Sequence, residues 1–297
     1  MSDLNEQEDC GGHTHLFGKA LTSIHVIICV RIFTAIFVIT FIVLHAIHVG
    51  EISMDEILEL YPTFITPASY ALNIWYLIYL LLSTFSIYQL FPLSYSDLFI
   101  NHISILACIN ALLAILWTLS YQTLGFDRNT LWISLVLNAM LFSTNFYIYY
   151  EQKRIKDHSW IRWVCTRAGY QVLLGWMIIA MMVNAFIVSE RGRLLNASAK
   201  SIMETWSICW LAVIGCVGIS GFGYVGRDSL VMGTLVWAFS AIAVQQHSKS
   251  TPVFITSTVL AVVLGLGSIT VATQNTRLWM QRRRNKPIKT AGLDNTV

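Results

Sequence analysis

Charge is scarce in this sequence of 297 residues, because Asp, Glu, Lys and Arg together make up only 12% of it. An ordinary soluble domain contains roughly a quarter charged residues. Hydrophobic residues make up 56%, and they cluster in runs of about 20 residues, the length of helix that crosses a bilayer core. This composition excludes a soluble fold and indicates a multi-pass membrane protein. The net charge is only +3, so nucleic-acid binding is not expected.

Motifs for catalysis and metal binding are also lacking. The chain contains no GxSxG nucleophile turn, no P-loop and no His-rich metal set. Its six cysteines share no CxxC spacing, so neither a disulfide framework nor a zinc site is predicted. His45, His48 and Glu51 lie near one another in sequence, but histidines at a membrane interface explain them more simply than a metal site. No cofactor is therefore expected, and an enzyme is not favoured.

Eight apolar stretches are long enough to span a bilayer, near residues 24–48, 70–91, 99–120, 130–150, 170–189, 204–222, 229–246 and 253–274. Because a backbone in lipid must satisfy its own hydrogen bonds, runs of this length predict α-helices. The expected fold class is all-α, a polytopic bundle of about eight transmembrane helices. The cores of these spans contain no Asp or Glu, and ion-coupled carriers usually need such carboxylates, so a coupled transporter is disfavoured.

Lys and Arg predict that both termini are cytosolic. Segments on the side of the termini carry thirteen of these residues, and those on the opposite side carry five. Basic residues are retained on the cytoplasmic side. We therefore expect a cytosolic N-terminal segment at 1–23, whose acidic character does not resemble a cleaved signal, and a basic cytosolic tail at 275–297. The sequon at Asn196 falls on the outer side, where it could be glycosylated.

Arg31 interrupts the first apolar run and allows two interpretations. A charge inside a membrane is a candidate functional group. Alternatively, residues 32–50 span the bilayer alone, Arg31 extends to the cytosolic interface, and residues 16–30 form a helix lying on the surface. The second interpretation is favoured because it needs no buried charge.

Tryptophan-centred patterns occur in two of the predicted spans. The second span contains Trp75-Tyr76-Leu77-Ile78-Tyr79 and follows the loop Pro62-Thr63-Phe64-Ile65-Thr66-Pro67, while the fifth contains Trp176, Ala180, Val183 and Asn184. This arrangement resembles the tryptophan-rich sensory protein family, also called TspO or translocator proteins. Members carry a Pro-x-Trp-x-Pro-Pro loop, a Trp-x-x-x-Tyr helix and a Trp-x3-Ala-x2-Leu-Asn helix. Ile109-Asn110 in the third span is similar to the family's Leu-Asn pair there.

The sequence departs from the family pattern at several positions. Phe64 and Thr66 replace the loop Trp and a loop Pro, Leu113 stands where a third-span Trp is expected, and Val172-Leu173 replace a Pro-Tyr pair. The resemblance covers residues 24–190, which implies a TspO-like unit of five helices. Residues 204–274 then form a three-helix extension, so the chain resembles a divergent long form of the family.

The resemblance implies a hydrophobic cavity between helices that binds a tetrapyrrole, a sterol or a similar apolar ligand. Such a protein acts as a receptor or sensor, or passes its ligand across the membrane, and the first loop serves as a lid. Degradation of porphyrin at the tryptophan pair is a minor variant of this activity. Glu51, Asp55, Glu56 and Glu59, interleaved with apolar residues, predict a short amphipathic helix for that lid, although ordinary solvation also explains their acidity.

Residue spacing is consistent with this cavity. Trp75 and Tyr79 lie four residues apart on one helix face, as do Trp176, Ala180 and Asn184. If the two faces meet, they form a cleft lined by rings. The candidate ligand-binding residues are Trp75, Tyr79, Trp176, Ala180, Asn110 and Asn184. Two alternatives stay open, because aromatic stripes often only pack and buried asparagines often bond between helices.

A different class of function is a structural or accessory subunit without its own ligand. Small residues recur at four-residue or three-residue spacing in the last three spans, at Gly215 with Gly218, Ser229 with Gly233, and Ala261 with Gly265. Such faces allow helices to approach closely and could hold a homo-oligomer or a membrane-protein partner. The remaining expected partners are membrane lipid and a small apolar ligand.

Overall fold

The computed structural model describes residues 24–47, 53–95, 98–125, 127, 130–154, 159–189 and 197–284. These residues form nine helices and no strand: α1 (Ile24–Ile47), α2 (Met54–Leu60), α3 (Ile74–Leu90), α4 (Leu98–Leu124), α5 (Leu131–Arg154), α6 (Trp160–Ser189), α7 (Ala197–Val217), α8 (Ser229–Gln246) and α9 (Thr251–Arg284). Eight of them, all except α2, are long and apolar enough to cross a membrane. The predicted all-α bundle of eight spanning helices is confirmed.

Several helices extend beyond the predicted runs, most of all α6 and α9. A π-helical segment at Val164–Ala168 lies inside α6, which begins ahead of the predicted start at residue 170, and another at Gly218–Val225 continues α7. Helix α9 contains 34 residues, about 51 Å of helix, against a hydrocarbon core of about 30 Å. Helical structure therefore continues into the interface, since Arg, Gln and Trp residues are all compatible with a helix.

Helix α6 is the centre of the bundle and contacts α3, α5 and α8. Gly175 makes the contact with α8 especially close, because a Cβ atom there would lie 2.8 Å from the Cβ of Thr234 and 3.0 Å from the carbonyl oxygen of Val231. The last three helices are thus packed directly against the first five spanning helices through the contact of α8 with α6.

The favoured interpretation expected the Arg31 side chain to extend toward the cytosolic interface, but the side chain is buried inside the protein against α3 and α4. Its side chain is 1% exposed, and its guanidinium donates to Ser94 Oγ at 2.7 Å, Gln89 O at 2.9 Å and Asn101 Oδ1 at 2.5 Å. These acceptors lie at the turn between α3 and α4, which compensates the loss of hydration. Residues 24–30 belong to the same continuous helix as Arg31, so the predicted separate surface helix is wrong there, and residues 16–23 lie outside the described residues.

Small residues bring α7, α8 and α9 together. Cβ atoms placed at Gly215 and Gly218 would lie 2.4 Å from Leu260 Cδ2 and 2.9 Å from Leu264 Cδ2. Ser268 Oγ of α9 donates to Ser229 O of α8 at 2.9 Å. Gly215 and Gly218 are therefore in close contact with α9 of the same chain, whereas Gly233 is exposed, so the small-residue faces are only partly used within the chain.

A buried polar cluster lies where α5 and α6 meet the turn before α8. Asp228 is 6% exposed and accepts hydrogen bonds from Tyr149 and, at 3.3 Å, from Gln171 Nε2, and it pairs with the ammonium of Lys153. Lys153 also donates to Gly226 O at 2.7 Å. Asp228 precedes α8 and so does not contradict the absence of carboxylates from the cores of the spans.

Candidate functional site

A pocket lies between α3, α4 and α6, below the short helix α2. Its enclosed volume is about 40 Å³, well below the roughly 300–1,000 Å³ typical of ligand pockets, so the walls must move apart before a ring system can enter. Its walls are Met54, Leu58, Pro67, Leu72, Trp75, Trp117, Tyr121, Trp176, Ile179, Ala180, Val183 and Asn184. None of these lining residues is charged, so the pocket favours an apolar occupant.

Three tryptophans from three helices form one continuous aromatic wall of the pocket. Trp75 of α3 is the common member, with its ring centroid 5.7 Å from that of Trp117 in α4 and 6.3 Å from that of Trp176 in α6. The Trp75 and Trp176 rings are nearly perpendicular, at 81°. Aromatic rings at these separations attract one another edge to face as well as by burial. The indole rings therefore give the pocket broad flat apolar surfaces that are held at fixed angles to one another.

The helical spacing explains why these residues converge. Trp176, Ala180 and Asn184 follow one another at four-residue steps on α6, and all three face the pocket. Ala180 supplies only a methyl group between the larger side chains, which leaves space beside Trp176. The predicted meeting of the second-span and fifth-span faces is thus observed.

Two of the six candidate residues do not line the pocket. Tyr79 stacks on Trp75 with an interplanar angle of 20° and packs edge-on against Phe41 of α1, so it supports the wall from behind. Asn110 donates from Nδ2 to Thr144 Oγ1 at 3.0 Å and bonds α4 to α5. The interpretation of Asn110 as a bond between helices is the one that its contacts match.

Three residues of the wall carry buried N–H donors that lack a partner in the part of the chain that the structure describes. The indole nitrogens of Trp75 and Trp117 and the amide nitrogen of Asn184 are buried and have no hydrogen-bond partner among the described residues. The three side chains are only 2–4% exposed. A buried donor without a partner is costly, by about 1–3 kcal/mol. These N–H groups therefore suit an acceptor atom brought by a ligand.

Helix α2 covers the pocket in the way its amphipathic pattern predicts. Ser53 and Glu56 form a reciprocal capping box at its start, with Ser53 N donating to Glu56 Oε2 at 2.7 Å. Met54 and Leu58 point into the pocket, and Ile57 is fully buried beside Gly125 at the end of α4. Residues 51 and 52 lie outside the described residues.

Several residues of the wall, above all Trp117 and Tyr121, were not predicted from the sequence. Their spacing repeats the Trp-x-x-x-Tyr pattern of Trp75 and Tyr79, and their rings lie 5.7 Å apart. That repeat was the available signal. Leu113, where a tryptophan was expected, is one helical turn before Trp117, so the substitution moves the ring along the same face of α4.

Other predicted features cannot be located. Asn196, His48 and Glu51 lie outside the described residues, as do residues 1–23 and 285–297. Among the described residues, no group of three or more His, Cys, Asp or Glu is arranged to hold a metal ion.

Comparison with known proteins gives one family. The family model described as TSPO-like protein matches residues 27–270, which include all of α2 to α8 and most of α1 and α9. The match therefore continues through the three helices that follow residue 190. No curated protein and no solved structure matches the chain.

Proposed function

The chain belongs to the TSPO-like protein family, and from this premise we propose that its pocket binds an apolar, ring-containing ligand such as a tetrapyrrole or a sterol. The observation that carries the proposal is the wall of Trp75, Trp117 and Trp176 with its unpaired N–H donors. The protein would act as a receptor or sensor for this ligand, or pass it between the two sides of the membrane.

The shape of the walls favours a flat or ring-shaped molecule. Indole rings offer broad apolar surfaces, and a rigid ring loses little conformational entropy when it is held between them. Since no charged residue lines the pocket, a carboxylate buried there would stay uncompensated. A tetrapyrrole would therefore insert its apolar edge and keep its acidic side chains at the mouth.

The unpaired donors favour a ligand that carries an oxygen acceptor. Each hydrogen bond from Trp75, Trp117 or Asn184 to such an atom would relieve an unsatisfied buried group. A sterol hydroxyl or a ring carbonyl meets this requirement. The enclosed volume of about 40 Å³ is far smaller than a whole sterol or tetrapyrrole, so helix α2 would have to move outward on binding, and part of a tetrapyrrole would remain in the mouth.

Orientation is part of the proposal. With both termini in the cytosol, helix α2 and the pocket beneath it lie toward the opposite side of the membrane. Occupancy of the sequon at Asn196, detected as a glycosidase-sensitive shift that Asn196→Gln abolishes, tests this orientation. Modification of an engineered cysteine at residue 196 only from the cytosolic side would contradict it.

The binding experiment uses the purified full chain in detergent micelles. Protoporphyrin IX and cholesterol are titrated separately, and tryptophan fluorescence is followed in wild type, Trp75→Ala and Trp176→Ala. Trp206→Ala is the matched control, because that ring is 56% exposed and faces away from the pocket. Saturable binding that either pocket substitution weakens by tenfold or more supports the proposal.

Two outcomes of this experiment would contradict ligand binding in the pocket. If wild type binds neither probe saturably, the proposed function is wrong, and the alternative of a structural subunit without a ligand takes its place. If Trp206→Ala weakens binding as much as Trp75→Ala does, the probes bind at the lipid-facing surface instead of the pocket.

A further inference from the structure

The loop between α2 and α3, at residues 61–73, makes its long-range hydrogen bonds to α8. The backbone N–H of Ala68 donates to Ala241 O at 3.0 Å, the indole N–H of Trp237 donates to Ala71 O at 3.0 Å, and Gln246 Nε2 donates to Thr63 O at 3.1 Å. The bond from Trp237 spans 166 positions of the chain, and the bond from Gln246 spans 183 positions. A helix from the last three spans thus holds a loop that begins before the second span.

The same loop forms part of the pocket wall. Pro67 and Leu72 line the pocket, and each is the immediate neighbour of a residue that bonds to α8, namely Ala68 and Ala71. Displacing the backbone at these two bonds would therefore move Pro67 and Leu72 away from the tryptophans. The position of this part of the wall therefore depends on the contact between the loop and α8.

Hydrogen bonds inside the loop fix its shape. Thr63 and Thr66 bond to each other three times: Thr63 N donates to Thr66 Oγ1 at 2.8 Å, Thr66 N donates to Thr63 O at 3.2 Å, and the two hydroxyls lie 3.0 Å apart. This compact turn fixes the loop's own shape, and the ring of Tyr70 packs edge-on against Trp237 with centroids 5.4 Å apart. Separating the loop from α8 breaks these bonds and also exposes Phe64 and Ile65, which are 9% and 0% exposed in the closed form. The open form is therefore a minor population in which the loop keeps its own shape.

We propose that α8 is a clamp, in which Trp237 and Gln246 hold the 61–73 loop closed over the pocket and thereby set the rate of ligand exchange. This inference rests on the proposed function. It assigns a role to α8, the second of the three helices after residue 190, because α8 positions a wall that the first five spanning helices only partly support. Trp237 and Gln246 are positioning residues, since neither lines the pocket.

The first test measures exchange kinetics. Protoporphyrin IX is mixed with the full chain in lipid nanodiscs by stopped flow, and tryptophan quenching gives the association and dissociation rates. Trp237→Phe and Gln246→Leu each remove one donor and keep a similar shape. Each lost bond raises the open population about twofold to tenfold, so both rates should rise by that factor, with the dissociation constant within about twofold of wild type.

Matched controls lie on the same chain. Gln245→Leu changes the neighbouring glutamine, which is only half-buried and has no bond to the loop, and Trp210→Phe changes a ring that is 46% exposed. Both should leave the rates as in wild type. A larger dissociation constant with an unchanged association rate in Trp237→Phe would mean that α8 affects only the shape of the pocket. That result would overturn the proposal that α8 holds the loop closed.

A second measurement needs no ligand. Hydrogen exchange should be slow at the amide of Ala68, and it should quicken several-fold in Trp237→Phe and in Gln246→Leu while the amides of α4 stay protected. Unchanged exchange of the loop in both variants would overturn the inference even if ligand binding is intact. Absence of saturable porphyrin binding in wild type would instead contradict the proposed function.

Discussion

Replacing Gly175 by alanine should loosen the contact between α6 and α8. The added Cβ would lie 2.8 Å from Thr234 Cβ and 3.0 Å from Val231 O, whereas carbon atoms in good contact are about 3.5–4.0 Å apart. Val231 O belongs to the backbone, so a rotamer change cannot relieve that overlap. The two helices must separate by several tenths of an ångström to accept the methyl group.

Two opposing effects determine how much Gly175→Ala changes the free energy of unfolding. Overpacking of this kind costs about 1–3 kcal/mol, and replacing glycine by alanine inside a helix returns up to about 1 kcal/mol. We expect Gly175→Ala to lower the free energy of unfolding by about 1–2 kcal/mol. The assay is SDS-induced unfolding in mixed micelles, followed by the loss of helical circular dichroism.

Gly233→Ala is the matched control within α8. Its nearest atom would be Ser268 Oγ at 3.8 Å, an ordinary contact, so this variant should be as stable as wild type or more stable. If Gly175→Ala is also as stable as wild type, the close packing of α6 against α8 is wrong, and the inferred role of the last three helices loses its basis.

Three further substitutions separate stability from binding. Arg31→Leu removes the charged donor from Ser94 and its neighbours and should cost about 3 kcal/mol in the same unfolding assay; stability equal to wild type would contradict the buried geometry. Asn110→Leu should cost about 0.6 kcal/mol of stability and leave protoporphyrin binding unchanged, because its amide bonds to α5 outside the pocket. Asn184→Leu should do the reverse, with stability retained and affinity reduced about threefold to tenfold, since its amide nitrogen has no partner to lose. Equal effects of the two asparagine substitutions on binding would refute this distinction.

Most of the fold was predictable because span length depends on local composition alone. The site was predictable only where spacing on one helix places side chains together, as for Trp176, Ala180 and Asn184. Trp117 was not predicted because the family pattern places the tryptophan of the third span at residue 113. Residues 113 and 117 nevertheless share a helix face. Arg31 was misjudged because its partners at residues 89–101 belong to a turn that no local pattern brings to it.

The contacts between the 61–73 loop and α8 could not have been predicted from the sequence. They join segments more than 160 residues apart. Neither segment carries a sequence motif that indicates a contact with the other. The division into a five-helix unit at 24–190 and a three-helix extension at 204–274 stays a prediction. The family match runs through both parts, and the packing at Gly175 joins them.

The central claim is that the space beside Trp176 is where the ligand binds, and filling that space tests it most directly. Ala180 lines the pocket, so Ala180→Phe should occupy the space that a ligand needs, while Ala212→Phe places the same ring at an exposed position of α7. The measurement is the dissociation constant of protoporphyrin IX for wild type and both variants in nanodiscs. The account predicts at least tenfold weaker binding for Ala180→Phe and wild-type affinity for Ala212→Phe; wild-type affinity in Ala180→Phe, with its stability intact, would contradict it.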